Sequence, residues 1–222
     1  ISTYNIDDAI NEARRCGEKL GFRAIFLRAN PLVNHQWQDD YYDPLWSALE
    51  DLNLSVGLHE STGTGKNQFG QRLEPNLMLR RVYAQPFEQM AALGCFCAGG
   101  VFARHPNLRV AFLEANCSWL PWLLWRLDET WELEGDVWVP DVKMKPSDYF
   151  KRHCVVSIEP DEITATKFID LIGVSNLVFS TDYPHGDSKY PEAVHHFLQL
   201  PLAEDDKKKI LLEKCASDYA ME

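Results

Sequence analysis

Leu54-Ser55-Val56-Gly57-Leu58-His59 is a short apolar run closed by a residue able to do chemistry. The pattern recurs along the chain. FRAIFLR (22–28) ends in Arg28, RVAFLE (109–114) in Glu114 and CVVSIE (154–159) in Glu159, while NLVFST (176–181) leads into Asp182. Short apolar runs bounded by turn signals read as buried strands. In a sheet of parallel strands joined by helices, all C-terminal ends lie on one face, where α/β proteins assemble their sites. The strand-closing residues therefore outline a candidate active site.

The segments between these runs read as helices. Residues 6–20 carry Ile6, Ile10, Ala13 and Leu20 among charges, and Gly21 stops the helix before the run 22–27. Asp43-Pro44 opens a helix over 44–53 that leads into the strand 54–59. A long helical stretch over 76–103 is expected to break at Gly94 and at Gly99-Gly100, with Pro106 turning the chain into the strand 109–113. A helix over 119–133, with Pro121 in its first turn, is followed by an expected loop over 135–147. The strand 153–158, a helix over 161–172 ended by Gly173, and the strand 176–181 follow. A last helix over 203–220 opens on Glu204, Asp205 and Asp206, an acidic turn that suits the helix dipole.

Five strands alternating with helices predict a parallel α/β sheet in a single domain over 1–222. A closed (β/α)₈ barrel takes about 250 residues, and at roughly 30 residues per βα unit three further units would add about 90. The chain opens on Ile1 and directly on a helix. The expectation is the C-terminal part of a longer barrel.

Composition excludes several classes. With 222 residues, 45% hydrophobic and 25% charged, the chain can bury a core. A net charge of −11, without a basic run interleaved with aromatics, argues against a nucleic-acid partner. No apolar run approaches the roughly 20 residues of a membrane span. The six cysteines form no C-x-x-C pair and several sit in apolar stretches, which suits reduced thiols and a cytoplasmic protein. Gly63-Thr64-Gly65-Lys66 fails as a phosphate loop, because Glu60 and Asn67 stand where that motif needs Gly and Ser or Thr.

Four blocks carry a family resemblance: Gly21-Phe22-Arg23-Ala24-Ile25 with Asn30-Pro31; Tyr42-Asp43-Pro44-Leu45-Trp46 leading to Val56-Gly57-Leu58-His59; Gly100-Val101-Phe102 through Pro106-Asn107-Leu108-Arg109-Val110 to Leu120-Pro121-Trp122 and Arg126-Leu127-Asp128; and Ser180-Thr181-Asp182-Tyr183-Pro184-His185. Together they resemble the amidohydrolase-related branch of the metal-dependent amidohydrolase superfamily, which includes aminocarboxymuconate semialdehyde decarboxylase and the resorcylate decarboxylases. The resemblance implies a distorted TIM barrel of which strands four to eight are present here. It also implies a divalent metal, zinc or alternatively manganese, held by a His-x-His pair, a histidine ending the fifth strand and an aspartate after the eighth. His59 and Asp182 match the last two positions, and the sequence holds no His-x-His. Two ligands bind zinc poorly where catalytic sites use three plus water, so this chain by itself is expected to be inactive unless another polypeptide completes the site.

His59 and Asp182 have a chemistry of their own. Imidazole and carboxylate are ordinary zinc ligands, and a bound zinc makes hydroxide available near neutral pH, with Asp182 able to accept its proton. A histidine can equally hold a loop and an aspartate cap a turn. The named decarboxylases carry a histidine where this chain has Glu114, which could act as general base, as a substrate-orienting acceptor, or as an ion-pair partner of Arg28 or Arg126. Substrate contacts are read at Arg28, His185 and Glu159. Arg28 could clamp a carboxylate or pair with Glu114, and Glu159 could touch substrate or cap the next helix. Trp119, Trp122 and Trp125 at helical spacing read as packing, and His105 and His153, which precede strands, as residues of the opposite end. His35 stays open, and His195 and His196 read as peripheral. The expected function is metal-dependent hydrolysis of a small organic acid or ring substrate, with Asp182 and Glu114 catalytic. The alternatives are non-oxidative decarboxylation or a non-catalytic fragment or pseudoenzyme subunit. A homodimer is a reasonable expectation.

Overall fold

The computed structural model describes residues 1–32, 34–59, 68–167 and 169–213. Helix α1, Ile6–Arg14, is capped by the Asn5 side chain, which accepts from the Asp8 N–H, and continues as a wider turn over Arg15–Lys19. It delivers the chain to β1, Ala24–Leu27. Helix α2, Asp43–Asp51, starts with Pro44 in its first turn and leads to β2, Ser55–His59. Helix α3, Leu77–Cys97, and the short α4, Val101–Arg104, precede β3, Val110–Leu113. Helices α5, Leu120–Trp138, and α6, Pro146–His153, precede β4, Cys154–Ile158. The short α7, Ile169–Ile172, leads to β5, Leu177–Phe179, and α8, Ala193–Leu198, and α9, Glu204–Lys208, follow.

The five strands form one parallel sheet in sequence order, β1-β2-β3-β4-β5. This is the arrangement of successive units of a βα barrel. The register sets His59 of β2 beside Leu113 of β3, so Glu114 emerges one residue further along, at the same end of the sheet.

The alternation of side chains divides the sheet into two unlike faces. Val56, Leu58, Val110, Phe112, Val156, Ile158 and Leu177 join the large core shared with the helices. Ala111, Val155 and Val178 form a small separate cluster with Leu113 against it. Gly57 shares this second face, with Phe26, half exposed, at its β1 edge. A Cβ on Gly57 would stand 3.3 Å from the Leu113 side chain, which shows how little room that face leaves.

All five expected strands form, with ends that differ by up to two residues, and the helices depart from expectation in four places. Gly94 does not interrupt α3, because its missing Cβ borders open space and costs the helix only propensity. The break falls at Gly99-Gly100 as expected: a Cβ on Gly99 would stand 2.5 Å from the Cys95 carbonyl oxygen, and Gly100 has φ +88°. The expected loop over 135–147 is helical at both ends, since α5 runs on to Trp138 and α6 begins at Pro146. Ser147 N–H donates to Asp128 Oδ1 at 2.9 Å, tying that second start to α5. Among the described residues of the stretch expected as a helix over 161–172, only 169–172 and a 3₁₀ turn over Ala165–Lys167 are helical. Residues 193–198, unassigned from sequence, form α8. The Gly63–Lys66 stretch and the end of the last helix lie outside the described residues.

Trp122 and Trp125 are not packing residues of this fold: they are 56% and 59% exposed, and only Trp119 turns inward, donating its indole N–H to the Ala115 carbonyl at 2.9 Å.

Candidate active site

The C-terminal ends of the strands carry the candidate residues, and the backbone aims them. Strand parity would point Glu114 to the helical face with Phe112. Its φ of +56° turns it out of strand geometry instead, a conformation unfavourable for a residue with a Cβ and found where the surroundings enforce it. Two bonds do so here: Glu114 N–H donates to Ser157 Oγ at 2.8 Å, and Glu114 Oε1 accepts from Gln85 Nε2 at 3.0 Å. Asp182 is also left-handed, φ +55°, with its N–H on Ser180 Oγ at 3.2 Å.

The result is a tight constellation. His59 Nε2 contacts Glu114 Oε2, and His185 Nδ1 stands 2.9 Å from Asp182 Oδ1 and 3.9 Å from Glu114 Oε1. Ligand-capable atoms of Glu114, Asp182 and His185 all lie within 4.8 Å of one another. His59, Glu114, Ser157, Glu159, Ser180 and Asp182 line one cavity of about 120 Å³. Two carboxylates and one or two imidazoles are a donor set that fits a divalent ion, its oxygens suiting manganese and its nitrogens zinc.

Burial pushes the Glu114 carboxyl up, but the His59 contact and the Gln85 bond outweigh it and leave it below the usual carboxylate range. Asp182 is raised, first by burial and then by the neighbouring Glu114 charge. Glu159 is pushed up to about 7 by burial, then by Glu162, Asp182 and Glu114. One acid thus keeps a proton near neutrality beside an ionised one.

Among the described residues the ion-pair contacts of Glu114 are with His59 and His185, not with Arg28 or Arg126. Arg126 pairs with Glu129 at 2.7 Å on its own helix. The charge of Arg28 acts on Glu88, whose carboxyl is raised by burial and drawn back by the Phe69 N–H and by Arg28. The cavities around Glu114 are walled by other residues. His105 and His153 sit before β3 and β4 as expected, His153 donating from Nδ1–H to the Leu108 carbonyl oxygen at 3.0 Å and stacked on Phe102. His35 stacks on Tyr41 near Asp39.

Three supporting residues escaped the sequence reading. Gln89, fully buried on α3, donates from Nε2 to the carbonyls of Leu58 at 2.8 Å and Leu113 at 3.1 Å, holding the ends of β2 and β3 together. Gln85, one turn earlier, reaches Glu114; the i, i+4 glutamine spacing was the available signal. Glu162 accepts from the backbone N–H groups of Cys117 and Ser118, both at 2.9 Å, from Ser118 Oγ at 2.6 Å and from the Glu159 N–H at 3.2 Å. It thereby joins the loops after β3 and β4, which explains why 161–164 is not helical: its carboxylate serves the neighbouring loop.

Comparison with known proteins agrees with this architecture. The amidohydrolase family model matches residues 4–213, and the chain belongs to that family. It is 29% identical over 179 residues to 2-amino-3-carboxymuconate-6-semialdehyde decarboxylase of Dictyostelium discoideum, covering 80% of this chain and 48% of that protein. The chain therefore spans about half the length of the curated relative it matches. Its fold is similar to that of 5-carboxyvanillate decarboxylase LigW from Sphingomonas paucimobilis, with a TM-score of 0.82 at 21% identity, covering 96% of this chain and 63% of that one. It is also similar to a dihydroxybenzoic acid decarboxylase from Polaromonas sp. JS666 with bound manganese and 2-nitroresorcinol, with a TM-score of 0.79 at 21% identity over 98% and 66% of the two chains. The five-stranded sheet is thus a partial TIM barrel.

Proposed function

We propose that this chain forms the metal-holding face of a carboxy-lyase that removes carbon dioxide from a small organic acid. The observation that carries the reading is the convergence of His59, Glu114, Asp182 and His185 at the C-terminal strand ends, with Glu159 in the same cavity as three of them. The names of the relatives favour decarboxylation over the hydrolysis expected from the strand-end residues.

Asp182, Glu114 and His185 are assigned as ligands on this chain, with His59 bonded to Glu114 and able to join them; manganese or zinc would polarise a substrate oxygen. This assignment gives the chain the three protein ligands that catalytic sites commonly use, without a His-x-His pair. Glu114, kept ionised by His59, is unsuited to give up a proton. Glu159 is suited to it, because burial and acidic neighbours lift its carboxyl to about 7. In the proposed step the bond from the substrate carbon to its carboxylate breaks and carbon dioxide leaves. The electron pair stays on the carbon, and the Glu159 proton fills that position. Water then returns a proton to Glu159.

The test is incubation of the manganese-loaded chain with 2,6-dihydroxybenzoate in ¹⁸O-labelled water. Carbon dioxide release with a product free of new label, lost in Asp182→Asn, is the expected result. Label entering the carboxylate of the recovered acid, by water adding to its carbonyl carbon and an unlabelled oxygen leaving as water, would favour metal-activated water with Asp182 as proton acceptor. Metal uptake with neither reaction would favour the non-catalytic subunit.

A further inference from the structure

Two cavities of about 410 and 230 Å³ flank Glu114 and share Arg81, Gln85, Glu114 and Asp187 in their walls. Four carboxylates, Glu114, Glu159, Asp182 and Asp187, stand in their walls. An organic acid entering here meets repulsion unless a cation other than the metal receives it.

Among the described residues three cations line these cavities, and they are not equivalent. Arg80 is committed to Glu74 at 2.9 Å, and its side chain is only 18% exposed. Lys189 is paired with Asp161 at 3.1 Å, and an ammonium is a point charge without a planar fork. Arg81 borders both cavities and pairs with Asp187 across the gap between α3 and the loop after β5. The side chains of that pair are 69% and 59% exposed. An exposed pair of this kind adds little stability, so replacing one carboxylate by another costs little.

We propose that Arg81 recognises the carboxylate of the substrate, releasing Asp187 and forming a forked pair with the incoming acid. Asp187 is then a stand-in for the ligand, holding the guanidinium at the mouth of the site while no acid is present. This rests on the proposed reading of the site as one that takes an organic acid, and goes beyond it by naming the residue that selects for the charge. Arg81 stands one helical turn from Gln85, which bonds Glu114, so a carboxylate on Arg81 points the rest of the ligand toward Glu114 and Asp182.

The test compares two probes, 2,6-dihydroxybenzoate and resorcinol, which share a ring and hydroxyls and differ in the carboxylate. Binding to the manganese-loaded full chain is measured by calorimetry for the wild type, Arg81→Gln and Asp187→Asn. Both residues are exposed, and thermal unfolding checks that the variants fold. Loss of a charge-assisted forked pair predicts about tenfold weaker binding of the acid to Arg81→Gln. Asp187→Asn, which removes the competitor, is expected to bind the acid more tightly than wild type, and resorcinol is expected to be indifferent to both changes. Equal effects on the two probes, no effect of Arg81→Gln, weaker acid binding by Asp187→Asn, or no acid binding by wild type would each overturn the assignment. Retained carbon dioxide release alongside such a result leaves the proposed function standing. Acid selectivity that follows Arg81 in a chain releasing no carbon dioxide removes the proposed function and leaves Arg81 as an acid-binding residue.

Discussion

Two constellations of histidine and carboxylate flank this sheet, one before β3 and one after β2 and β3, and they differ in what surrounds them. His105, 5% exposed, places Nδ1 3.1 Å from Glu50 Oε2 and Nε2 3.1 Å from Asp43 Oδ1. The remaining lone pairs are used: Arg104 forks onto Asp43 at 3.0 Å, and Asn107 N–H donates to Glu50 Oε1 at 2.6 Å. His59 and Glu114 instead keep 29% and 22% of their side chains exposed and line a cavity. Identical residue types therefore serve two ends. A closed, fully bonded network fixes loops, whereas one that faces a cavity keeps bonding capacity for a ligand.

The comparison breaks most directly at His105. Replacement by Ala leaves Asp43 and Glu50 with less compensation in a mostly buried setting, and about 3 kcal/mol of stability is expected to be lost in chemical denaturation, with manganese affinity unchanged. A variant of native stability would show that the network is dispensable. Glu162→Ala probes the intermediate case, a carboxylate 7% exposed that serves four donors of two loops. A loss of about 2 kcal/mol is expected, because the Cys117 and Ser118 amides lose their acceptor, together with weaker manganese binding from loosening of the Glu114 loop.

Asp182→Asn should reverse the pattern. Manganese affinity falls by at least about tenfold, read by metal titration, while unfolding free energy stays within about 1 kcal/mol of wild type. Glu159→Gln sharpens the electrostatic side. The folded chain lifts this carboxyl from 4.5 to about 7, so it retains a proton that the unfolded chain releases. The resulting stability is complete below about 4.5 and is lost as pH rises through about 7. Denaturation at pH 5 and pH 8 is expected to show wild type losing more stability across that interval than Glu159→Gln. Trp125→Ser, at a side chain 59% exposed, should change stability by no more than about 0.5 kcal/mol.

The strands were legible because each is a short apolar run with a turn signal at its end, and β2, β3 and β4 are covered on both faces along most of their length. His59, Glu114 and Asp182 were legible for the same reason: a polar residue closing a buried strand reaches the C-terminal face in a parallel sheet. The role of Glu114 was not. Arg28 and Arg126 were plausible partners by charge alone, and the φ of +56° that turns Glu114 toward His59 has no signature in the run RVAFLE. Trp122 and Trp125 share the spacing of a packing stripe, yet whether a helix face meets the core depends on how the helix is set down, and here that face is left outside.

Sequence by itself determined the five parallel strands, the face that carries the polar residues and the family to which they belong, because those follow from local apolar patterning and from residues adjacent in the chain. Only the tertiary structure decided that Glu114 bonds His59, that Gln85 and Gln89 brace two strand ends from a helix, and that Glu162 ties together the loops after β3 and β4. These contacts join residues 24 to 55 positions apart in sequence or depend on a backbone turn of one residue, and their energies exist only once packing has brought the partners within hydrogen-bond distance.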